Sequence, residues 1–283
     1  MSATEARGAL ARRPGQARSL ATLTAHILGL QAKSVFIWGL LLGGLGVMIV
    51  SIFPAIGEQG QIEDLTETMP QGMLQAVGVE DMASFTTIEG FLDAEVFALV
   101  VPLALPFFAI LASAGAIAGA EERGTIDVLM GNPVPRWQLV AAHFLATAVS
   151  LAAILAILGG FLWGAARIFG VDLTVGAISE GVFGAWPLCL FFGGLALSLS
   201  AVFHRRMLVV GVSGAVLLFM YFLDTLGGMV EELERLRTLS VIYHYGSPIL
   251  DGVDWASFSG VSAAALVLAA LAALLFRRRD IYT

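Results

Sequence analysis

Six runs of nearly uncharged residues recur along the chain, at 35–56, 96–119, 138–164, 183–203, 207–226 and 256–276. Each reaches the ~20 residues that an α-helix needs to cross a bilayer. In hydrocarbon every backbone N–H and C=O must be bonded within the protein, so each run is expected to be a helix. Composition agrees: 58% of residues are hydrophobic and 13% charged, against about 45–50% and about 25% in soluble domains. The fold class expected is therefore an all-α integral membrane protein of six transmembrane helices.

Charge placement orients the spans. Of the 15 Lys and Arg, twelve fall in four segments: Arg7, Arg12, Arg13, Arg18 and Lys33; Arg123 and Arg136; Arg205 and Arg206; Arg277, Arg278 and Arg279. Six spans put these segments on one side, which the positive-inside rule makes cytoplasmic, with both termini there. Only Arg167, Arg235 and Arg237 fall outside, and the 57–95 loop carries nine acids with no Lys or Arg. The net charge of −7 thus describes the outer loops and says nothing about a nucleic-acid partner.

The lone cysteine, Cys189, excludes an internal disulfide and a cysteine metal cluster, and its mid-span place suits a small packing residue. The N-terminal basic stretch with its apolar run exceeds a signal h-region and reads as an uncleaved first span. Residues 1–14 are expected to be disordered. Residues 15–33 place Leu20, Leu23, Ile27, Leu28 and Leu30 at roughly helical spacing, which suggests an amphipathic helix on the inner leaflet. A second weak amphipathic pattern runs from Met69 to Val77. Residues 240–253 are too short to span, and Tyr243 and Tyr245 suit an interfacial or re-entrant element. Gly39 with Gly43, and Gly160 with Gly164, are Gly-x-x-x-Gly pairs that could serve a dimer interface.

Between the second and third runs lies Glu-Glu-Arg-Gly-Thr-Ile-Asp-Val-Leu-Met-Gly-Asn-Pro-Val-Pro-Arg, residues 121–136. Glu121 and Glu122 follow a helix C-terminus, where the macrodipole disfavours anions, so membrane anchoring alone does not account for them. Gly124 breaks the span, Thr125 is suited to an N-cap, and Asp127 lies in the first turn that follows. Ile126, Leu129 and Met130 form a small apolar face. Gly131 and Asn132-Pro133 stop the helix, and Pro135-Arg136-Trp137 restarts the chain.

This segment, Glu121 to Leu129 followed by Asn132-Pro133-Val134-Pro135-Arg136, resembles the cytoplasmic signature of the permeases of ATP-binding-cassette exporters, the ABC type-2 permease family. Met69-Pro70 with Phe91-Leu92-Asp93-Ala94-Glu95 resembles that family's first outer loop, and Phe276-Arg277-Arg278-Arg279-Asp280-Ile281 its C-terminal ending. The resemblance covers most of 20–281. Leu129-Met130-Gly131 stands where the family often has Leu-Leu-Ser, and Pro135 replaces a small polar residue. The resemblance implies a type V exporter-like half-transporter of the bacterial cell membrane. Its divisions would be a cytoplasmic N-terminus with an amphipathic connecting helix at 1–34, and a six-span permease domain at 35–283 with a 57–95 outer loop and a 120–136 coupling helix. Partners would be two copies of a cytoplasmic ATPase subunit, a second permease subunit and the lipid bilayer, none of them a nucleic acid. Glu121, Glu122, Arg123, Gly124, Thr125, Asp127, Leu129, Pro133 and Arg136 would dock the ATPase, with His204 and Arg205 as a smaller contact.

The chain has no Gly-x-x-x-x-Gly-Lys-Ser/Thr phosphate loop, and its one lysine, Lys33, follows Ala32, so it is expected to be non-catalytic and to bind no cofactor, ATP and Mg²⁺ belonging to the partner. Charges within the spans are nearly absent; Asp224 and Arg167 lie near outer span ends. A cavity walled by Phe, Met, Leu and Ala suits an amphipathic or lipid-like substrate. Phe107, Phe108, Met220 and His143 are the pathway candidates; His143 also suits an interhelical hydrogen bond. Two other classes compete. Gly211-Val212-Ser213-Gly214 matches the Gly-x-Ser-Gly of intramembrane hydrolases, which require a histidine beside the serine. An ion-coupled secondary transporter would show inverted repeats, and none stands out.

Overall fold

The computed structural model describes residues 16–57, 87–122, 124 and 135–278, and all regular elements among them are helical. They are α1 (Gln16–Gly57), α2 (Ile88–Leu92), a π-helical stretch (Asp93–Val100), α3 (Val101–Ala114), α4 (Ala118–Glu122), α5 (Arg136–Phe169), α6 (Val175–Val202), α7 (Arg206–Met229), a 3₁₀ turn (Glu231–Leu233), α8 (Glu234–Arg237), α9 (Val241–Tyr245), α10 (Pro248–Asp251) and α11 (Trp255–Arg278). Six stretches are long and apolar enough to cross a membrane: Ser19–Pro54, Ile88–Ala114, Arg136–Phe169, Val175–Val202, Arg206–Met229 and Trp255–Arg278. They coincide with the six expected runs, but several boundaries move: the fourth span starts at Val175 and not 183, and three further boundaries change the packing. The expected disordered 1–14 and the Met69–Val77 pattern lie outside the described residues.

The first boundary separated an interfacial helix from the first span. The structure has no such break: α1 is one helix of 42 residues. Its N-terminal half finds a partner in α5. Leu20, Leu23, Ile27 and Leu28 pack on Ala142 and Ala146, and Ser150 Oγ donates to Gln31 Oε1 at 2.7 Å. Further along, a Cβ on Gly39 would lie 2.7 Å from Ile157, one on Gly43 2.7 Å from Phe161, and one on Gly46 2.8 Å from Leu162. The two helices are thus parallel and in contact over most of their length. Gly39 and Gly43 serve this contact within the chain, not a dimer interface, whereas Gly160 and Gly164 face open space.

The second boundary is the start of the second span. Thr87 Oγ1 accepts the Gly90 N–H at 3.2 Å and caps α2, so the helix begins at Ile88, eight residues before the expected 96, and absorbs Phe91–Glu95. Pro102 and Pro106 have no N–H to donate. Just upstream the helix takes the wider π pattern, and the Val101 N–H bonds the Val96 carbonyl. Asp93 in this stretch is 8% exposed and approaches Ser247 and Asp251. The third boundary is this span's end, at Ala114 and not 119.

α6 is the centre of the bundle, against α3, α5 and α11. Close approach is set by Gly194, whose Cβ would meet the Ala265 carbonyl at 2.9 Å. Polar groups in α6 are spent on neighbouring backbones: Ser198 Oγ donates to the Leu268 carbonyl at 2.6 Å, and Trp186 Nε1 to the Ala148 carbonyl at 3.0 Å. Cys189 is buried, as expected of a packing residue. The 240–253 segment forms α9 and α10, with Ile242, Pro248 and Ile249 buried and Pro248 seated on Gly184. Asp224 pairs with Arg237 at 3.1 Å. Asp254 opens α11; hydrogen bonds from Ser257 and the Ala256 N–H hold its carboxyl below the usual range.

If α1 and α5 are joined through these glycines, Gly43→Leu must force Phe161 aside and cost about 1–3 kcal/mol by overpacking. Gly160→Leu, in open space, should leave stability unchanged. Thermal unfolding of both variants in detergent measures the difference.

Candidate functional site

The charged end of the bundle is built around one buried hydroxyl. α3 stops at Ala114 and α4 starts at Ala118, leaving orphan carbonyls and N–H groups in an apolar setting. Ser200, fully buried on α6, serves both: its Oγ accepts from the Ile117 and Ala118 N–H groups at 3.3 and 3.0 Å and donates to the Ala114 carbonyl at 3.3 Å. This residue was not singled out in the sequence. The available signal was the Leu-Ser-Leu-Ser alternation near the end of an apolar run, because a hydroxyl there needs a backbone partner.

The turn places Glu121 and Glu122 against the α6–α7 connection. Glu121 carboxylate oxygens lie 3.3 and 3.2 Å from His204 Nδ1, with Glu121 mostly buried and His204 mostly exposed. Glu122 Oε2 accepts the Arg206 N–H at 3.2 Å. Arg206 opens α7, so this carboxylate sits at a helix N-terminus, where the macrodipole favours it. That resolves the position that looked unfavourable in the sequence: Glu122 ends the short α4 but serves α7. Arg206 in turn sends Nη2 to the Leu111 carbonyl at 3.3 Å, a cation at the C-terminal end of α3. Arg205 is exposed.

Gly124 follows with φ +64° and donates its N–H to the Glu121 carbonyl at 2.9 Å. No atom lies within 4 Å of where its Cβ would be, so it is the left-handed backbone that favours glycine here. Arg136, the first residue of α5, turns to α11: its Nη1 donates to the Phe276 carbonyl at 3.0 Å, and its guanidinium stacks over the Phe276 ring at 5.4 Å. Arg123, Thr125, Asp127, Leu129 and Pro133, with the apolar face of Ile126 and Met130, lie outside the described residues. The two segments read separately in the sequence, at 121–136 and 204–206, are therefore one cluster through Glu121 and Glu122.

The pathway candidates do not converge. Phe107 packs toward α7, 3.4 Å from where a Gly214 Cβ would be, and Met220 joins the same apolar cluster. Phe108 is buried against Trp38, with ring centroids 6.3 Å apart. His143 lies on α5, its Nδ1 buried without a hydrogen-bond partner among the described residues. Ser213 Oγ is likewise buried and unpartnered, so the hydrolase reading lacks its base. Among the described residues no group of three or more His, Cys, Asp or Glu could hold a metal.

A sequence profile described as ABC-2 family transporter protein matches residues 20–281. The chain belongs to this family. The six apolar helices and the match together make it a multi-pass membrane permease, as the charged segment suggested. Comparison with curated proteins finds no match.

If Ser200 closes the break between α3 and α4 of the permease, Ser200→Ala strands two buried N–H groups and should cost about 1–3 kcal/mol. Ser179→Ala, at an exposed serine on the same helix, should be near neutral. Thermal unfolding of the two variants gives the comparison.

Proposed function

We propose that the permease is the membrane subunit of an ATP-driven exporter. In this reading two permease subunits assemble with two copies of a cytoplasmic ATPase, which binds ATP and Mg²⁺ and hydrolyses the nucleotide. The substrate is amphipathic or lipid-like and moves outward through the bacterial cell membrane. Membership of the ABC-2 family supports the permease part; the observation that carries the coupling is the clamp of Glu121 and Glu122 on His204 and Arg206.

The clamp converts docking into helix movement. A partner seated on 121–136 pushes on a segment that is bonded at its start to the beginning of α7 and through Ser200 to α6. At its other end, Arg136 is bonded to the last turn of α11. Displacement of the segment therefore pulls on four span ends at once: α3, α6, α7 and α11. Coupling needs no charge inside the bundle, in keeping with its apolar walls. ATP-driven closure of the partner pair then switches the cavity between the permeases from inward-facing to outward-facing.

The test begins with purification of the tagged permease from native membranes and identification of the co-eluting chains. A stoichiometric partner with a phosphate loop is expected, and isolation without any ATPase after crosslinking overturns the exporter reading. With that partner, Glu122→Lys should abolish permease-stimulated ATP hydrolysis while membrane insertion persists, because a cation then faces the α7 N-terminus. Wild-type stimulation in a folded Glu122→Lys permease removes Glu122 from the coupling path.

A further inference from the structure

α1 and α5 touch along their lengths, and on one flank a groove opens between two levels of contact. At the lower level Ile27 packs on Ala142 and Ala146; at the upper level Gly39 admits Ile157. Between them the bond from Ser150 to Gln31 is the polar tie across the gap. Beside that tie lies a groove of about 320 Å³ walled by Leu28, Ala32, Val35, Phe36, Val149 and Ala153. Phe36 and Val149 form its lips, 64% and 50% exposed. The Ser150 hydroxyl is already used on Gln31, so the floor is apolar. Both helices are long and apolar enough to cross a membrane, and hydrocarbon is the natural medium beside the groove.

Among the described residues, one charge lies on its flank. Lys33 follows the wall residue Ala32 and precedes the lip residue Phe36 by three positions, which puts it on the same flank of α1. It is exposed, and no ion pair to it occurs among the described residues. It is the only lysine of the chain. Neighbouring Gln31 is bonded to Ser150, which lies ~20 Å along α5 from Arg136 at 1.5 Å per residue. Lys33 therefore stands about four turns along the α1–α5 pair from Arg136, beside the groove. A helical side chain leans toward its own N-terminus and a lysine stem can snorkel, so the ammonium points back toward the end that carries Arg136.

We propose that the α1–α5 groove binds one acyl chain of an anionic phospholipid, with its phosphate held by Lys33. The apolar walls select a chain, and the lone ammonium selects an anionic head over a zwitterionic one. The site is independent of ATPase docking and belongs to the permease alone.

The full chain, purified and delipidated in mild detergent, is titrated with phosphatidylglycerol or phosphatidylcholine and the bound lipids are counted by native mass spectrometry. The first phosphatidylglycerol should bind about fivefold tighter than the first phosphatidylcholine, the ratio expected for one lysine near an anionic lipid. Lys33→Gln should erase that preference and Lys33→Arg should keep it. Ala153→Trp and Ala32→Leu, which fill the groove from opposite walls, should each remove the tight site while the thermal transition is retained; either variant suffices if the other fails to fold. Equal binding of the two lipids by the unaltered chain overturns the proposal, as does a preference that survives Lys33→Gln. Disulfide crosslinking of two copies through Ala153→Cys also overturns it, by putting a second copy in the groove.

Discussion

The constraint on which this structure rests is that a backbone surrounded by apolar side chains and lipid has no water to complete its hydrogen bonds. Within a helix the requirement is met automatically; at each helix end it is not. The permease closes its ends with side chains borrowed from other helices. Ser200 of α6 closes the break between α3 and α4. Glu122 meets the N-terminus of α7, Arg206 the last turns of α3, and Arg136 the end of α11. Each local necessity is therefore also a tertiary tie, and together they gather the charged ends of the spans into one assembly. The opposite ends use local caps more often: Thr87 for α2, Thr174 for α6 and Asp254 for α11.

This difference bears on where the molecule can move. The α3–α4 break, the start of α7 and the end of α11 are linked directly or through α6, so a push at one is shared by the others. Upstream of α3 the helix widens into its π-helical stretch, a form associated with functional sites, before reaching α10 through Asp93 and Ser247. The span from Ile88 to Ala114 thus joins the tightly tied end to the short outer helices through a segment with irregular backbone pairing. It is the element of the bundle best placed to carry a displacement from one face to the other.

Much of this was legible in the sequence, for reasons that can be named. The six spans announce themselves because length and apolarity are local properties. Glu121 and Glu122 drew notice because they violate a local rule, and the structure supplies the partner that makes them favourable. What escaped depends on distant residues. Asp93 and Glu95 read as loop because acids do; Asp93 is buried by a segment about 150 residues later. The N-terminal part of α1 read as interfacial because polar residues separate its helically spaced leucines, yet one of them, Gln31, has its partner in Ser150. Gly39 and Gly43 looked like a dimer motif, and nothing near them in sequence reveals that Ile157 and Phe161 fill the space they leave. Ser200 was invisible for the same reason: its role is defined by a turn about 80 residues upstream.

The pairing of α1 with α5 sets the order of assembly. α1 leaves the ribosome shaped by its glycines for a partner more than a hundred residues downstream. At about 5–20 residues per second, α1 waits many seconds in the membrane with a grooved face and nothing to fill it. The second span cannot stand in, because it packs mainly against α6 and α7. Insertion of the first half of the chain is thus separated in time from its packing, and the bundle closes only once its third membrane-crossing helix has arrived.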